Sequence, residues 1–245
     1  MTVKYFQKGF NYSQDGPGNR LVYHLHGCNM KCPWCSNPEG MNPEKEYPSF
    51  PVTEVSVEEM VSEIVSCKPM FFDGGGVTLT GGEVTLQLDA VLELLKSLKA
   101  EGINTAIETN AMSPALPRLF PYLDHLIMDV KSADKEKLLV VAGGVLEPII
   151  KNLDAAAAAH LDILVHVPLI GGFNANDAAT DLLLSTLLPF KDSIKIEFLA
   201  YHEYGKDKWK QCGLTYAMEN ANISTECYKQ TINKFKAAGF NAVRT

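Results

Sequence analysis

Several features are scarce in this chain. No apolar run in its 245 residues is long enough to span a bilayer, which takes about 20 residues. The opening segment, MTVKYFQKGFNYSQDG, has no uninterrupted apolar stretch of the kind a secretory signal needs. Both absences point to a cytoplasmic protein with no membrane partner. A basic excess is missing too. Lys and Arg total 22 against 29 Asp and Glu, a net charge of −7, which argues against a general nucleic-acid binder. Internal repeats and long low-complexity linkers are also lacking. What is present is ordinary globular composition, 46% hydrophobic and 21% charged. The length fits one large α/β domain as well as two small ones.

Apolar, β-rich segments alternate with segments of helical period. Strands are expected at about 20–26, 76–80, 104–108, 125–129, 162–167 and 193–199. Helices are expected at about 57–67, 86–100, 148–160, 177–188 and 225–238. Such alternation predicts a parallel sheet with right-handed crossovers, as a doubly wound sheet or an incomplete β/α barrel. The segments HGCNMKCPWC, TGGEVT, ETNAM, MDVKSAD, VPLIGGFN and FLAYHEYG each begin at the end of an expected strand. That edge carries the active site in parallel β/α architectures. Six strand ends meeting at one mouth favour an incomplete parallel (β/α)6 barrel.

The six cysteines, in a reducing compartment, read as ligands, nucleophiles or small core residues rather than disulfides. Cys28, Cys32 and Cys35 follow the spacing C-x3-C-x2-C, which lets a tight loop aim three thiolates at one point. Soft thiolates select iron–sulfur clusters, zinc or Cu(I). A [4Fe–4S] cluster usually takes four cysteines, so three would leave one iron open for another ligand. The alternative is structural zinc, with a fourth ligand from His24, His26 or a distant cysteine. No second C-x2-C knuckle supports it. Cys67, Cys212 and Cys227 are isolated and read as small buried residues. His24 and His26 share a strand face, either as satisfied core histidines or as groups lining the interior near the cluster.

At these residues the chain resembles the radical S-adenosylmethionine (SAM) enzymes, whose signature is C-x3-C-x2-C with an aromatic residue, here Trp34, before the third cysteine. Further segments resemble the glycyl-radical-enzyme activating enzymes among them: Asp15-Gly16-Pro17-Gly18, CPWCSNPEG, Gly81-Gly82-Glu83, Met128-Asp129-Val130-Lys131 and the run from Tyr201 to Lys206 with Trp209. The resemblance covers about residues 14–209. It implies a single radical SAM domain over 1–245 with that core, followed by a C-terminal helix and tail at 210–245. Only Cys67 lies between Cys35 and Gly81. The layout is therefore the short one of the pyruvate formate-lyase-activating type, without a ferredoxin-like insertion. The run CSNPEG, in contrast, is closer to activating enzymes that carry the insertion.

The resemblance implies an oxidoreductase of anaerobic metabolism. Cys28, Cys32 and Cys35 would hold a [4Fe–4S] cluster whose open iron is chelated by SAM. Reductive cleavage of the sulfonium would give a 5′-deoxyadenosyl radical, which takes a hydrogen from a glycine of a partner glycyl radical enzyme. Gly81, Gly82 and Glu83 would position the cofactor's amino group, and Trp34 would lie near its adenine. Glu108, Thr109 and Asn110, with Asp129, fall where a monovalent cation binds beside the cofactor carboxylate, with Glu108, Thr109 and Asp129 as its ligands. Lys131 and His202 would face the cofactor as catalytic groups. His166 falls where family members often carry arginine, which would make a fixed charge pH-dependent. Asp15 would help receive the partner's glycine loop. Flavodoxin or ferredoxin would supply the electron. Three departures stand beside these positions: Val84 in place of a proline after GGE, Ala111 in place of a glycine after Asn110, and PLIGG in place of PLIPG. Two other functions compete: a radical SAM enzyme acting on a small molecule, and a non-enzymatic iron–sulfur or zinc protein.

Overall fold

The computed structural model describes residues 1–12, 14–218 and 220–243, and the chain in it falls into two units. The first comprises Met1–Asn29, Asn37–Thr109 and Ser113–Ile127; the second comprises Met30–Ser36, Asn110–Met112 and Met128–Thr245.

The first unit opens with an antiparallel hairpin of β1 (Thr2–Tyr12) and β2 (Asn19–Leu25). There follow β3 (Thr53–Ser56), α1 (Val57–Ser66), β4 (Val77–Gly81), α2 (Leu88–Ala100) and β5 (Thr105–Thr109). The strand order is β3-β1-β2-β4-β5. β2, β4 and β5 run parallel, with Leu21 opposite Val77 and Val77 opposite Thr105. β2 is almost wholly buried, as a strand covered on both faces must be. A capping box starts α1: Ser56 Oγ accepts from the Glu59 amide at 3.1 Å, and Glu59 Oε2 accepts from the Ser56 amide at 3.0 Å. Val57, Met60 and Ile64 of α1 lie on one buried stripe, as do Ala90, Val91, Leu94, Leu95 and Leu98 of α2. Each leucine so buried stabilises the fold by about 1.5–3 kcal/mol.

Arg20 is the polar exception in β2. It is fully buried, and its guanidinium donates to Thr78 Oγ1 (2.7 Å), Asn104 Oδ1 (2.8 Å) and the Val77 carbonyl (2.7 Å). Burial pulls its pKa down to about 10, against the opposing charges of Asp124 and Asp15, so it stays protonated at neutral pH. The loop before it is fitted to this hub. Thr78 Oγ1 donates to the Asp15 carbonyl at 2.7 Å. Gly18 has φ +70°, and a Cβ there would lie 2.4 Å from the Gly75 nitrogen.

β6 (His125–Asp129) begins in the first unit and ends in the second. The second unit continues through α3 (Lys135–Lys137), a π-helical turn Leu138–Ala142, α4 (Leu146–Ala158), β7 (Asp162–Leu169), α5 (Asp177–Leu187), β8 (Ile194–Ala200), α6 (Lys206–Gln211), α7 (Thr225–Ala237) and β9 (Asn241–Ala242). β7, β8 and β9 are parallel. Asn176 caps α5 through the Ala179 amide, and Ser224 caps α7 through the Cys227 amide. Phe235 of α7 packs edge-on against Phe198 of β8, with ring centroids 4.9 Å apart.

The six expected strands are β2 and β4 through β8, and the five expected helices are α1, α2, α4, α5 and α7, all within two residues. β1, β3 and β9 were not expected. Only Val3 and Tyr5 of β1 are buried, so most of its length shows no apolar alternation. β3 and β9 have four and two residues, too few for a period. Cys212 is buried as expected, whereas Cys67 and Cys227 are partly exposed: Cys67 ends α1, and Cys227 sits in the first turn of α7. Within the expected tail, Glu219, Arg244 and Thr245 lie outside the described residues.

Candidate functional site

In the first unit the parallel strands end side by side at Leu25, Gly81 and Thr109. Gly81 has φ +108°, and a Cβ on it would lie 2.5 Å from His24 Cα. A Cβ on Gly82 would lie 2.0 Å from the Gly27 carbonyl oxygen. Both positions therefore need glycine because two backbones touch there. Hydrogen bonds close the contact, from the Gly82 amide to the Leu25 carbonyl (2.8 Å) and from the Glu83 amide to the Gly27 carbonyl (2.7 Å). On the other side Gly27 donates to the Gly40 carbonyl (2.8 Å) and Cys28 to the Met41 carbonyl (2.9 Å). The GGE segment and the stretch after the cysteines thus hold the chain as it enters Cys28.

Glu83 is fully buried. Its Oε1 accepts from the Thr85 amide (3.0 Å), Thr85 Oγ1 (2.6 Å) and Thr109 Oγ1 (2.7 Å). On the neighbouring strand Glu108 Oε2 accepts from Thr80 Oγ1 at 2.5 Å. Asp15 sits at the opposite end of β2, where Asn11 Nδ2 donates to its carboxylate at 2.5 Å. His24 lies in β2 beside the Phe6 ring, and His26 falls just beyond the strand end.

In the second unit the Cys35 amide donates to the Cys32 carbonyl at 3.1 Å, closing a turn between the two. The Lys31 amide donates to the Ala142 carbonyl at 2.9 Å, tying the loop to the π-helical turn. Cys32 is buried and Cys35 is half-buried, as is Cys28 in the first unit. Three soft donors on a short backbone-anchored loop suit the iron–sulfur group their spacing implies. Trp34 is buried with its ring centroid 4.6 Å from that of Phe173.

Asp129 and Lys131 pair with each other, Nζ to Oδ2 2.7 Å. Asn110 is buried and accepts from the Met112 amide at 3.1 Å, while Ala111 takes φ +58°. His166 stands opposite Glu197 across β7 and β8, both buried, with Nε2 3.5 Å from Oε2. His202 lies just after β8 and stacks on Tyr204 with ring centroids 4.0 Å apart; burial pushes its pKa down.

Two polar residues escaped the sequence reading. Glu197 is buried opposite His166, inside a strand that otherwise looks like core. Asn174 is buried at the end of GGFN and fastens two strand ends: its Nδ2 reaches the carbonyls of Lys131 (2.8 Å) and Pro168 (2.6 Å), and its Oδ1 takes the Ile170 amide (2.7 Å). An asparagine after two glycines is the sequence signal for such a turn.

The sequence profile of the radical SAM superfamily matches residues 22–184. The pyruvate formate-lyase-activating enzyme of Staphylococcus epidermidis is 35% identical over 217 residues, covering 84% of each chain. Among solved structures, a domain of a pyruvate formate-lyase-activating enzyme from Bacteroides vulgatus is 28% identical with a TM-score of 0.58, over 69% of this chain and 98% of that one. A radical SAM methyltransferase from Sphaerobacter thermophilus, 13% identical, has a TM-score of 0.66 over 96% of this chain and 67% of its own, a likeness of fold alone. This chain belongs to the radical SAM superfamily and, within it, to the family of the pyruvate formate-lyase-activating enzymes.

Proposed function

We propose that this chain activates a glycyl radical enzyme, pyruvate formate-lyase or a relative, by abstracting hydrogen from a glycine of that partner. The observation that carries this reading is 35% identity to an activating enzyme along 84% of both chains. Cys28, Cys32 and Cys35 would hold a [4Fe–4S] cluster as thiolates, leaving one iron open to SAM. When bound, the cluster supplies the one-electron cleavage of the sulfonium that hydrogen abstraction needs.

The residues around these cysteines bind and orient. Gly81 and Gly82 bring backbone close enough to hold the cofactor's amino group. Glu83, fixed by Thr85 and Thr109, adds a negative charge that needs no further ordering. Trp34 presents an aromatic face for adenine. Glu108, Thr109 and Asp129 offer the oxygen ligands a monovalent cation takes. Asn110, Lys131, His166 and His202 complete the cofactor's surroundings, and Asp15 meets the partner. In this reading the chain is one domain over 1–245, an incomplete parallel (β/α)6 barrel whose open side admits a protein. It works in the cytoplasm with flavodoxin or ferredoxin as electron donor. Among the described residues no helix is long and apolar enough to cross a membrane.

The test is anaerobic reconstitution with iron and sulfide, reduction with dithionite, and assay of 5′-deoxyadenosine with and without pyruvate formate-lyase. The reading expects product, its loss in Cys32→Ala, and a glycyl radical signal on the partner. Cofactor cleavage stimulated by metabolites, with no radical on any partner, would replace it with small-molecule chemistry.

A further inference from the structure

The third cysteine is gripped from a distant part of the chain. Trp209 of α6 is buried, and its indole Nε1 donates to the Cys35 carbonyl oxygen at 2.9 Å. Gly205, just before α6, presses on the same carbonyl: a Cβ there would lie 2.5 Å from Cys35 O and 2.9 Å from Ser36 Cα. The gripping residues are themselves fixed. The Trp209 amide donates to the Gly205 carbonyl (3.0 Å), and the Trp209 carbonyl accepts from the Leu214 amide (2.9 Å). Its ring meets Tyr216 edge-on with centroids 5.8 Å apart, and the Tyr216 and Tyr201 hydroxyls share a 2.6 Å hydrogen bond.

The Cys35–Ser36 peptide is planar, so holding its carbonyl also fixes the direction of the Ser36 amide. Amide orientation around ligating sulfurs tunes the potential and retention of an iron–sulfur cluster. We propose that Trp209, with Gly205 as its close-packed floor, is a positioning residue for the Cys35 limb of the cluster. It would set the cluster's electronic signature and hold on iron without touching metal or cofactor. This rests on the reading of Cys35 as a cluster ligand.

Trp209→Phe keeps an aromatic ring and deletes the donor. Gly205→Ala keeps the donor and pushes on the same carbonyl, at φ −78°, where alanine is unstrained. Both are compared with the unaltered protein after anaerobic reconstitution. The readouts are the electron paramagnetic resonance spectrum of the reduced cluster, with and without SAM, and the rate of iron loss to a chelator. Expected are altered g-values in both variants and iron loss about tenfold faster, the usual scale for removing a partner that orients a metal ligand. Thermal denaturation of the apoproteins reports folding. If Trp209→Phe does not fold, Gly205→Ala alone decides. Spectra and iron-loss rates matching the unaltered protein overturn the role of Trp209. An unaltered protein that assembles no [4Fe–4S] cluster overturns this inference together with the reading of Cys35 beneath it.

Discussion

Thr109 donates its hydroxyl to Glu83 Oε1 across 2.7 Å, joining the end of β5 to a carboxylate with no exposed surface. A hydrogen bond to a charged group contributes about 1.5–3 kcal/mol. Thr109→Val keeps the shape and removes the donor, so the apoprotein is expected to lose about 2 kcal/mol in urea denaturation. A midpoint equal to that of the unaltered protein would show that this bond does not hold Glu83.

Ala111 adopts φ +58°, in the left-handed region that costs an L-residue about 1–2 kcal/mol. It is held there because its carbonyl accepts from Asn152 Nδ2 at 2.8 Å and its methyl is fully buried. Ala111→Gly relieves the strain at the expense of a more flexible unfolded chain, so a gain of at most about 1 kcal/mol is expected. Ala111→Val adds branching in the same conformation and is expected to lose about 2 kcal/mol or more. Urea titration of the two variants should move in opposite directions, and equal midpoints would deny strain at this position.

Asp124 offers a test by pH. Burial by itself raises its pKa, but hydrogen bonds from Lys99 (2.6 Å) and the Thr105 amide (2.9 Å) outweigh that and leave it below the ordinary 3.8. A depressed carboxylate pKa means stability that is present above the unfolded value and lost as pH falls through the folded one. The apoprotein should lose part of its stability as pH falls from about 4. Asp124→Asn should show a shallower acid limb when urea midpoints are compared between pH 6 and 3.

Lys131 and Asp129 pair at 2.7 Å with little exposure of either side chain. Placed beside the cofactor, the pair would keep Asp129 from repelling a carboxylate. Lys131→Met is expected to raise KM for SAM on the order of tenfold, about 1.4 kcal/mol of binding, with iron content preserved. An unchanged KM alongside full iron content would remove Lys131 from the cofactor's surroundings.

How much of this was legible in the sequence depends on distance along the chain. Six strands and five helices could be read because each carries its own period, and the cysteine run and GGE because their spacing is local. The long, mostly exposed β1 could not be read, since few of its side chains are buried. Neither could the tertiary partners. Nothing near Cys35 announces an indole 174 residues away, and nothing in the core-like IKIEFLA marks Glu197 as the neighbour of His166. The departure at Ala111 was visible, whereas its left-handed backbone was not, because alanine by itself gives no sign of positive φ.

Asp15 and Gly81 lie at opposite ends of the paired strands β2 and β4. The Asp15 carbonyl accepts from Thr78 Oγ1, and Thr78 precedes Gly81 by three residues of β4, so at about 3.3 Å each roughly 10 Å of strand separates the two places. In the proposed reading, a partner that leaned on Asp15 would reach the cysteine end with about three extended residues. A short loop is then long enough, and the residues the partner presents to Asp15 would be near sequence neighbours of the glycine it delivers.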